Sequence, residues 1–189
     1  MSNFLSEEEL KGLGLKSYGK NVLIGRHAIL YHPERLSLGH DVRIDDFTVV
    51  SGNVTLHNYI HISQFCGLYG GSEGIEMEDF SGLSAKVSVY ATSDDYSGAS
   101  MTNPMVPMEY KPGAIEAKVL IKRHCIIGNN STILPGVTVE EGASVGSMSL
   151  VTKSTEPWSI NVGIPAKKLK DRKKDLLELE KKFQESVNE

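Results

Sequence analysis

Hydrophobic residues recur in steps of six through most of this chain. Each step opens on an aliphatic residue, and a small or β-branched residue follows four positions later. The downstream steps are Ile121–Cys125, Ile127–Ser131, Ile133–Val137, Val139–Ala143 and Val145–Ser149, after which Val151 opens another. The upstream steps are Leu38–Val42, Ile44–Thr48, Val50–Val54, Leu56–Ile60 and Ile62–Cys66. Repetition at a fixed period is typical of a solenoid.

A six-residue period predicts a chain that turns a corner every six residues, with three sides in each coil. The opening aliphatic residue then points inward and stacks on the aliphatic residue one coil later. The predicted stacks are Ile121 on Val139, Ile127 on Val145 and Ile133 on Val151. Valine and isoleucine at these positions favour short strands, and each coil buries its inner face only against the next. The predicted fold class is therefore all-β, a parallel β-helix.

The six-residue pattern is interrupted in three places and is absent from both ends. It is irregular over residues 24–38, gains extra residues over 68–77, and vanishes over 90–118, which we interpret as a long functional loop. Ser6–Glu9 before Leu10 matches a capping box and predicts a short N-terminal helix. We expect a single domain 1–189: an N-terminal segment 1–20, a β-helix 21–168 with the loop 90–118, and a C-terminal helix 169–189, whose helical spacing of apolar residues runs over 171–187.

Composition restricts the functional class. The chain has 189 residues, 40% of them hydrophobic, which fits one folded domain. Its net charge of −4 argues against a general nucleic-acid binder. No apolar run approaches the length of a membrane span, and the first residues lack a signal pattern, so we expect a cytoplasmic protein.

The cysteines and histidines give no metal site. Cys66 and Cys125 both occupy the small inward position of a step, which predicts buried, reduced thiols. Four histidines fall at outward positions and are interpreted as surface residues: His27, His40, His57 and His124. No spacing of His, Cys and Asp matches a zinc site, so we expect no metal.

The repeat, the loop after Val89 and three closing motifs resemble a known family. The motifs are Val151–Ser154, Pro157–Trp158 and Gly163–Lys168. Over about residues 20–170 the chain resembles the hexapeptide-repeat acyltransferases, nearest to the galactoside and maltose O-acetyltransferase group and its relatives that acetylate sugars of bacterial surface polysaccharides. The resemblance implies a left-handed β-helix and a homotrimer with active sites between subunits. It also implies transfer of an acetyl group from acetyl-CoA to a hydroxyl or amine, and the expected acceptor is a sugar or sugar nucleotide.

The general base is the open question of this resemblance. The histidine that begins the loop in the sugar acetyltransferases is replaced by Asp94, within Ala91–Gly98. Asp94 or Asp95 is a candidate base, since burial raises a carboxyl pKa; alternatively, the pair only forms a turn. His61, facing outward near a corner, is a second candidate if a neighbouring subunit brings it beside Asp94. A third possibility needs no protein base, because a neutral amine can pass its proton to the CoA sulfur.

A cluster of positive charge follows the last coil. It comprises Lys167, Lys168, Lys170, Arg172, Lys173 and Lys174. We interpret it either as a cradle for the CoA phosphates or as a solvated helix start. The resemblance implies that Thr152 and Lys153 line the adenine end, that Lys167 and Lys170 hold phosphates, and that Asn129 and Ser147 meet the pantetheine arm. Trp158 either stacks on adenine or plugs the solenoid end.

Two other functions stay open on the sequence alone. One is a non-catalytic β-helix that binds a ligand or partner, as in the carbonic-anhydrase-like branch, although that branch needs three zinc-binding histidines and no matching set occurs here. The other is an acyltransferase for a non-sugar acceptor. The loop over 90–118 builds the acceptor pocket in such proteins, so the sequence does not name the acceptor.

Overall fold

The structure, a computed structural model, describes residues 3–187 of the 189-residue chain. Short strands occupy the sides of successive coils and pair in parallel from coil to coil, so that each side forms one sheet along the solenoid axis. We name the sheets A, B and C in the order in which a coil passes through them. The predicted parallel β-solenoid is confirmed.

The strands of each sheet follow one another along the solenoid axis. Sheet A consists of Leu23–Ile24, Val42–Ile44, Ile60–Ile62, Gly82–Leu83, Ile126–Ile127, Ser144–Val145, Ser159–Val162 and Lys167–Asp171. Sheet B consists of Ile29–Tyr31, Val49–Ser51, Gly67–Tyr69, Ser88–Tyr90, Thr132–Ile133 and Leu150–Val151. Sheet C consists of Leu36–Leu38, Val54–Leu56, Ile75–Met77, Val119–Ile121 and Thr138–Val139.

The predicted stacking of inward residues is confirmed. Partners in adjacent strands are Ile121 and Val139, Ile127 and Val145, and Ile133 and Val151. All of these side chains are buried. One coil therefore takes eighteen residues over this part of the chain, and the core is a set of aliphatic columns along the axis. Cys66 and Cys125 lie in the same core, and burial raises the pKa of their thiols to about 11 and about 12.

Two corners of successive coils repeat a left-handed backbone. The corner between sheets C and A has positive φ at Asn21, Asp41, Tyr59, Phe80, His124, Gly142 and Trp158. At the corner between sheets A and B, φ is positive at Phe47, Phe65, Lys86, Asn130 and Met148. Non-glycine residues rarely adopt this conformation, so coil-to-coil pairing overrides the local preference here. Side chains at equivalent corners consequently lie above one another.

Helices lie at both ends of the solenoid. The N-terminal helix α1, Glu7–Gly12, starts with the predicted capping box, in which Ser6 accepts from the Glu9 N–H and Glu9 accepts from the Ser6 N–H. The C-terminal helix α2 spans Leu176–Val187. Two 3-10 helices are Pro33–Arg35 and Met108–Tyr110. Neither α-helix of residues 3–187 combines the length and apolarity that crossing a bilayer requires.

The C-terminal boundary differs from the one that the sequence predicts. The pattern ends the solenoid at 168 and favours a helix over 171–187, but Lys167–Asp171 is a strand that pairs antiparallel with Ser159–Val162. Helix α2 begins only at Leu176. All five residues of the added strand are exposed, so no hydrophobic alternation distinguishes it in the sequence. Main-chain pairing with the edge of sheet A holds it in place.

The long loop leaves the coil where the pattern stops. Tyr90 ends a strand of sheet B, and Val119 begins the next strand of sheet C. The base of the loop is a short antiparallel pair, Thr92–Ser93 with Ile115–Glu116. This pair fixes the start of the loop and places Asp94 directly after it.

Candidate active site

A groove of about 790 Å³ runs over the outward face of sheet A. Its floor includes His61, Gly82 and Ile126, which lie side by side on three neighbouring strands. Gly82 has no side chain, so the floor is lowest between the other two. Ser63 and Ser84 line the same groove two positions further along their strands, at the edge nearest sheet B. The groove is therefore deepest at Gly82 and has hydroxyl groups at one edge.

Helix α2 forms the wall at the opposite edge. Leu176, Leu179 and Phe183 line the groove from this helix. Leu179 is 64% exposed and Ile126 on the floor is 49% exposed, although both are large apolar side chains. The space between helix and sheet is therefore apolar and open to an occupant.

Charged contacts fix α2 to the solenoid. Glu180 forms an ion pair with Arg123 and lies 2.9 Å from the His124 ring nitrogen Nε2. Arg172, in the segment before α2, donates to the main-chain oxygens of His124 and Gly142 at 2.7 and 2.9 Å. The interpretation of His124 as a surface residue is wrong: it is 8% exposed. Its position is outward from the coil, but the C-terminal segment covers it.

Aromatic side chains at the corner between sheets C and A complete this attachment. The rings of Tyr59 and Phe80 stack at 4.8 Å, and the His124 ring continues the column at 5.3 Å. Phe183 of α2 meets Tyr59 edge-on at 5.2 Å. Trp158 reaches the same column across Gly142, where a Cβ would overlap its ring. Of the two roles considered for Trp158, this packing favours the plug.

His61 has a structural partner on the neighbouring strand. Its Nε2 lies 2.8 Å from Asp45 Oδ2, and Arg43 donates to the other Asp45 oxygen at 2.7 Å. Burial opposes ionisation of Asp45, but the hydrogen bonds from Arg43 and His61 prevail and lower its pKa. Asp45 is therefore a carboxylate that orients the His61 ring through Nε2, which leaves Nδ1 as the ring nitrogen that could meet a substrate.

The two candidate carboxylates of the loop differ in their surroundings. Asp95 accepts the N–H groups of Ser97 and Ser100 at 2.8 and 2.9 Å. Hydrogen bonding with Ser97, together with the main-chain donors, lowers the Asp95 pKa to about 2. Asp94 accepts one N–H, that of Asn103, at 3.0 Å through Oδ2. Asp95 thus holds the loop together, whereas Oδ1 of Asp94 has no hydrogen-bond partner among residues 3–187.

The predicted CoA residues fall at two edges of sheet B. Asn129 and Ser147 lie at the corner between sheets A and B, in the coils that follow Ser84, and Asn129 donates to the Ala85 oxygen at 2.9 Å. Thr152 and Lys153 lie at the other edge, where sheet B ends, as does the loop that carries Asp94. One chain therefore carries two separate groups of candidate residues, and it does not bring Asp94 into the groove that contains His61.

The positive cluster separates into free and paired lysines. Lys168 forms ion pairs with Asp171 and Glu156, both at 2.8 Å, and these contacts raise its pKa. Lys167 and Lys170, on the same strand, are exposed and have no ion-pair partner within residues 3–187. Both are available to an anion at the C-terminal end of sheet A. Within the same described range, no group of His, Cys, Asp and Glu could hold a metal ion.

Comparison with known proteins places the chain in a family. Residues 118–153 match the family described as bacterial transferase hexapeptide (six repeats). The dTDP-4-amino-4,6-dideoxy-D-glucose acyltransferase of Escherichia coli is 42% identical over 187 residues, which cover 97% of this chain and 96% of that protein. The putative lipopolysaccharide biosynthesis O-acetyl transferase WbbJ of E. coli strain K12 is 26% identical over 144 residues, which cover 72% of this chain and 69% of that protein.

Solved structures give the same result. AntD, an N-acyltransferase from Bacillus cereus solved with dTDP and 3-hydroxybutyryl-CoA, is 47% identical, covers all of both chains and superposes with a TM-score of 0.98. The S84C variant of AntD was solved with dTDP-4-amino-4,6-dideoxyglucose and CoA, with a TM-score of 0.96 over 98% of this chain and 99% of that one. D94A and D94N variants of AntD have also been solved.

The stacked hexapeptide coils and the full-length identity to acyltransferases together define the class. This chain belongs to the hexapeptide-repeat acyltransferase family, and it is an acyltransferase acting on sugars with an acyl-CoA donor.

Sequence reasoning did not identify Ser84 or Glu180. Ser84 is a small residue at a repeated corner, and the repeat places serine or glycine there in other coils as well, so no local signal marks it. Glu180 lies on a helix with alternating charges and is distinguished only by the buried His124 that it meets. The buried histidine arises from tertiary packing across 56 residues of sequence.

Proposed function

We propose that this enzyme transfers an acyl group from a CoA thioester to the amino group of a dTDP-4-amino-4,6-dideoxyhexose used in surface polysaccharide synthesis. The observation that carries the proposal is identity of 42–47% along nearly the whole chain with two acyltransferases, one named for that amino sugar and the other solved in complex with it. Ser84 and Asp94 stand in this chain at the numbers substituted in AntD. The donor class is acyl-CoA, of which acetyl-CoA is the smallest member.

The reaction needs a neutral amine and a place for one proton. The amine nitrogen attacks the thioester carbon, the new C–N bond forms, and the C–S bond breaks to release CoA. The proton leaves the nitrogen and ends on the CoA sulfur. Asp94 is suited to bind the amino sugar, because its Oδ1 can accept a hydrogen bond from an N–H of the amine and so orient the nitrogen lone pair. The Ser84 hydroxyl is suited to bind the acyl-CoA, because it can donate a hydrogen bond to the thioester oxygen.

His61 is the second candidate for the proton transfer. It lies in the groove, but Asp45 occupies its Nε2, so only Nδ1 could accept a proton. The acceptor amine reaches Asp94 and His61 together only if two chains contribute. We prefer Asp94, because its Oδ1 accepts no hydrogen bond from the residues over 3–187 and because an aspartate with the same number was substituted in AntD.

We infer from the arrangement of candidate residues that adjacent chains share a site. Ser84, Asn129 and Ser147 occupy one edge of sheet B, and Asp94, Thr152 and Lys153 the other. In a homotrimer about an axis parallel to the solenoid, the first edge of one chain faces the second edge of its neighbour, which completes each site. Light scattering should give three times the 20.7 kDa chain mass; a monomer at assay concentration would exclude the shared site. A cytoplasmic location, where CoA thioesters are made, belongs to the same proposal.

A pair of acceptors tests the transfer directly. Release of CoA thiol is measured with dTDP-4-amino-4,6-dideoxyglucose and with the analogue that carries a hydroxyl at the same carbon. The proposal predicts thiol release that depends on the amino sugar and is at least about a hundredfold slower with the hydroxyl analogue, since a hydroxyl needs a stronger base to attack. Equal rates with both acceptors would instead support O-transfer of the WbbJ kind.

A further inference from the structure

Two large apolar side chains that line the groove beside α2 are exposed to solvent. Ile126 on the floor and Leu179 on the helix both line it and are about half or more exposed. Apolar side chains left open around a space of about 790 Å³ are typical of a ligand site rather than of a packed core. Among the polar groups of the groove, His61 lies on the floor and Ser63 and Ser84 lie at the edge nearest sheet B. Ser81, His124, Arg172 and Glu180 also line the groove, and Glu180 and Arg172 are both bound to His124.

The position of the groove relative to the donor site identifies the occupant, on the basis of the proposed function. In sheet A, four strand-to-strand steps separate the strand of Lys167 and Lys170 from that of Gly82. At about 4.8 Å per step, these span about 19 Å. The extended pantetheine arm and pyrophosphate of CoA cover this length, so a donor held at the lysines delivers its thioester to the edge where Ser84 lies. The acyl group then extends across Gly82 and Ile126 toward α2.

We propose that the groove receives the acyl group of the donor, that Leu179 and Ile126 contact it from opposite sides, and that the enzyme prefers CoA thioesters with acyl groups larger than acetyl. The bonds made and broken are those of the transfer described above, because only the acyl chain changes. The AntD complex with 3-hydroxybutyryl-CoA shows that a relative of 47% identity binds a CoA thioester of this size.

The attachment of α2 makes this selection possible. Glu180 lies one residue after Leu179 and is fixed by Arg123 and His124, while Phe183 packs on Tyr59. The wall therefore stands at a fixed distance from the floor. Burial of one methylene group in such a space favours binding about fourfold, so butyryl-CoA, with two more methylenes than acetyl-CoA, gains about fifteenfold.

The experiment compares acetyl-CoA, propionyl-CoA and butyryl-CoA at saturating acceptor. The wild type is predicted to show kcat/KM rising by about fourfold per methylene. Leu179→Ala and Ile126→Ala should each flatten this increase to about twofold or less per methylene. Val187→Ala is the matched control, because Val187 is an exposed apolar residue of the same helix that does not line the groove.

Four results would overturn the inference. A wild type that does not distinguish the donors would show that no acyl pocket exists. Variants that slow all donors equally would show that the groove holds a neighbouring chain, and variants that raise only the KM of the acceptor would place the sugar there. Calorimetric Kd values of the same thioesters, measured without acceptor, keep this test separate from the proposed function: binding that does not strengthen with chain length contradicts the inference even if no acceptor is found.

Discussion

The side chains of His124 and Glu180 lie 2.9 Å apart, between Nε2 and Oε2, and this contact joins the solenoid to a helix 56 residues later in the chain. Arg123 shares the same carboxylate. Because both partners are largely buried, the contact fixes the position of α2 more firmly than an exposed ion pair would.

Glu180→Ala should therefore loosen α2 without unfolding the solenoid. Removing one partner of a buried polar contact costs about 1–3 kcal/mol, which predicts amide exchange in α2 that is about tenfold faster or more. The melting transition of the coils should change little. Glu178→Ala is the control, since Glu178 is 72% exposed and, of the residues that the structure describes, forms an ion pair with Lys181 alone. Equal exchange rates in the two variants would contradict the role assigned to Glu180.

Asp94→Asn should lower kcat strongly and leave the KM for acyl-CoA near its original value. The amide keeps the shape of the carboxylate but cannot accept a proton, and a positioned general base contributes about 10²–10⁴-fold. Steady-state kinetics with the amino-sugar acceptor measures the loss, and His61→Ala is tested beside it. If both variants keep a normal kcat, the proton passes from the amine to the CoA sulfur without either residue.

Asp95 should behave as a structural carboxylate with a depressed pKa. Its folded-state pKa of about 2 lies below the ordinary value of 3.8, so its stabilisation of the loop is complete above that ordinary value and is lost as the pH falls through about 2. The amide shifts of Ser97 and Ser100 should accordingly change little between about pH 5 and about pH 3. A midpoint near 3.8 would show that the carboxylate does not hold these amides.

Neutralising Lys167 and Lys170 together should raise the KM for acyl-CoA by about tenfold and leave kcat largely intact, because phosphate contacts far from the reacting atoms act mainly in binding. The effect should shrink at high salt. Lys168→Gln is the matched control on the same strand, since its ammonium group is already paired with Glu156 and Asp171. An unchanged KM in the double variant at low salt would show that the strand does not contact the donor.

The repeat allowed most of the fold to be predicted, because each inward residue obeys a local rule that recurs every coil. Ile127 and Val145 stack as their spacing requires. The strand at Lys167–Asp171 was not predictable, since its exposed residues carry no pattern and only pairing with Ser159–Val162 defines it. His124 was misassigned for a related reason: its own coil leaves it outward, and distant α2 buries it.

The candidate site was predictable only in part. Asp94 was identified through the family resemblance, at the start of the loop, and it stays a candidate because its Oδ1 accepts no hydrogen bond within the described part of the chain. In the proposed function, the loop of a neighbouring chain completes the acceptor site, and no six-residue pattern specifies such a contact.

The identity of the product tests the central claim most directly. The purified enzyme is incubated with an acyl-CoA and dTDP-4-amino-4,6-dideoxyglucose, and the product is examined by mass spectrometry and NMR. The account predicts one added acyl group per nucleotide sugar, joined as an amide at the amino-bearing carbon, with one CoA released for each. An ester on a ring hydroxyl, or an amino sugar recovered unchanged while CoA is released, would contradict it.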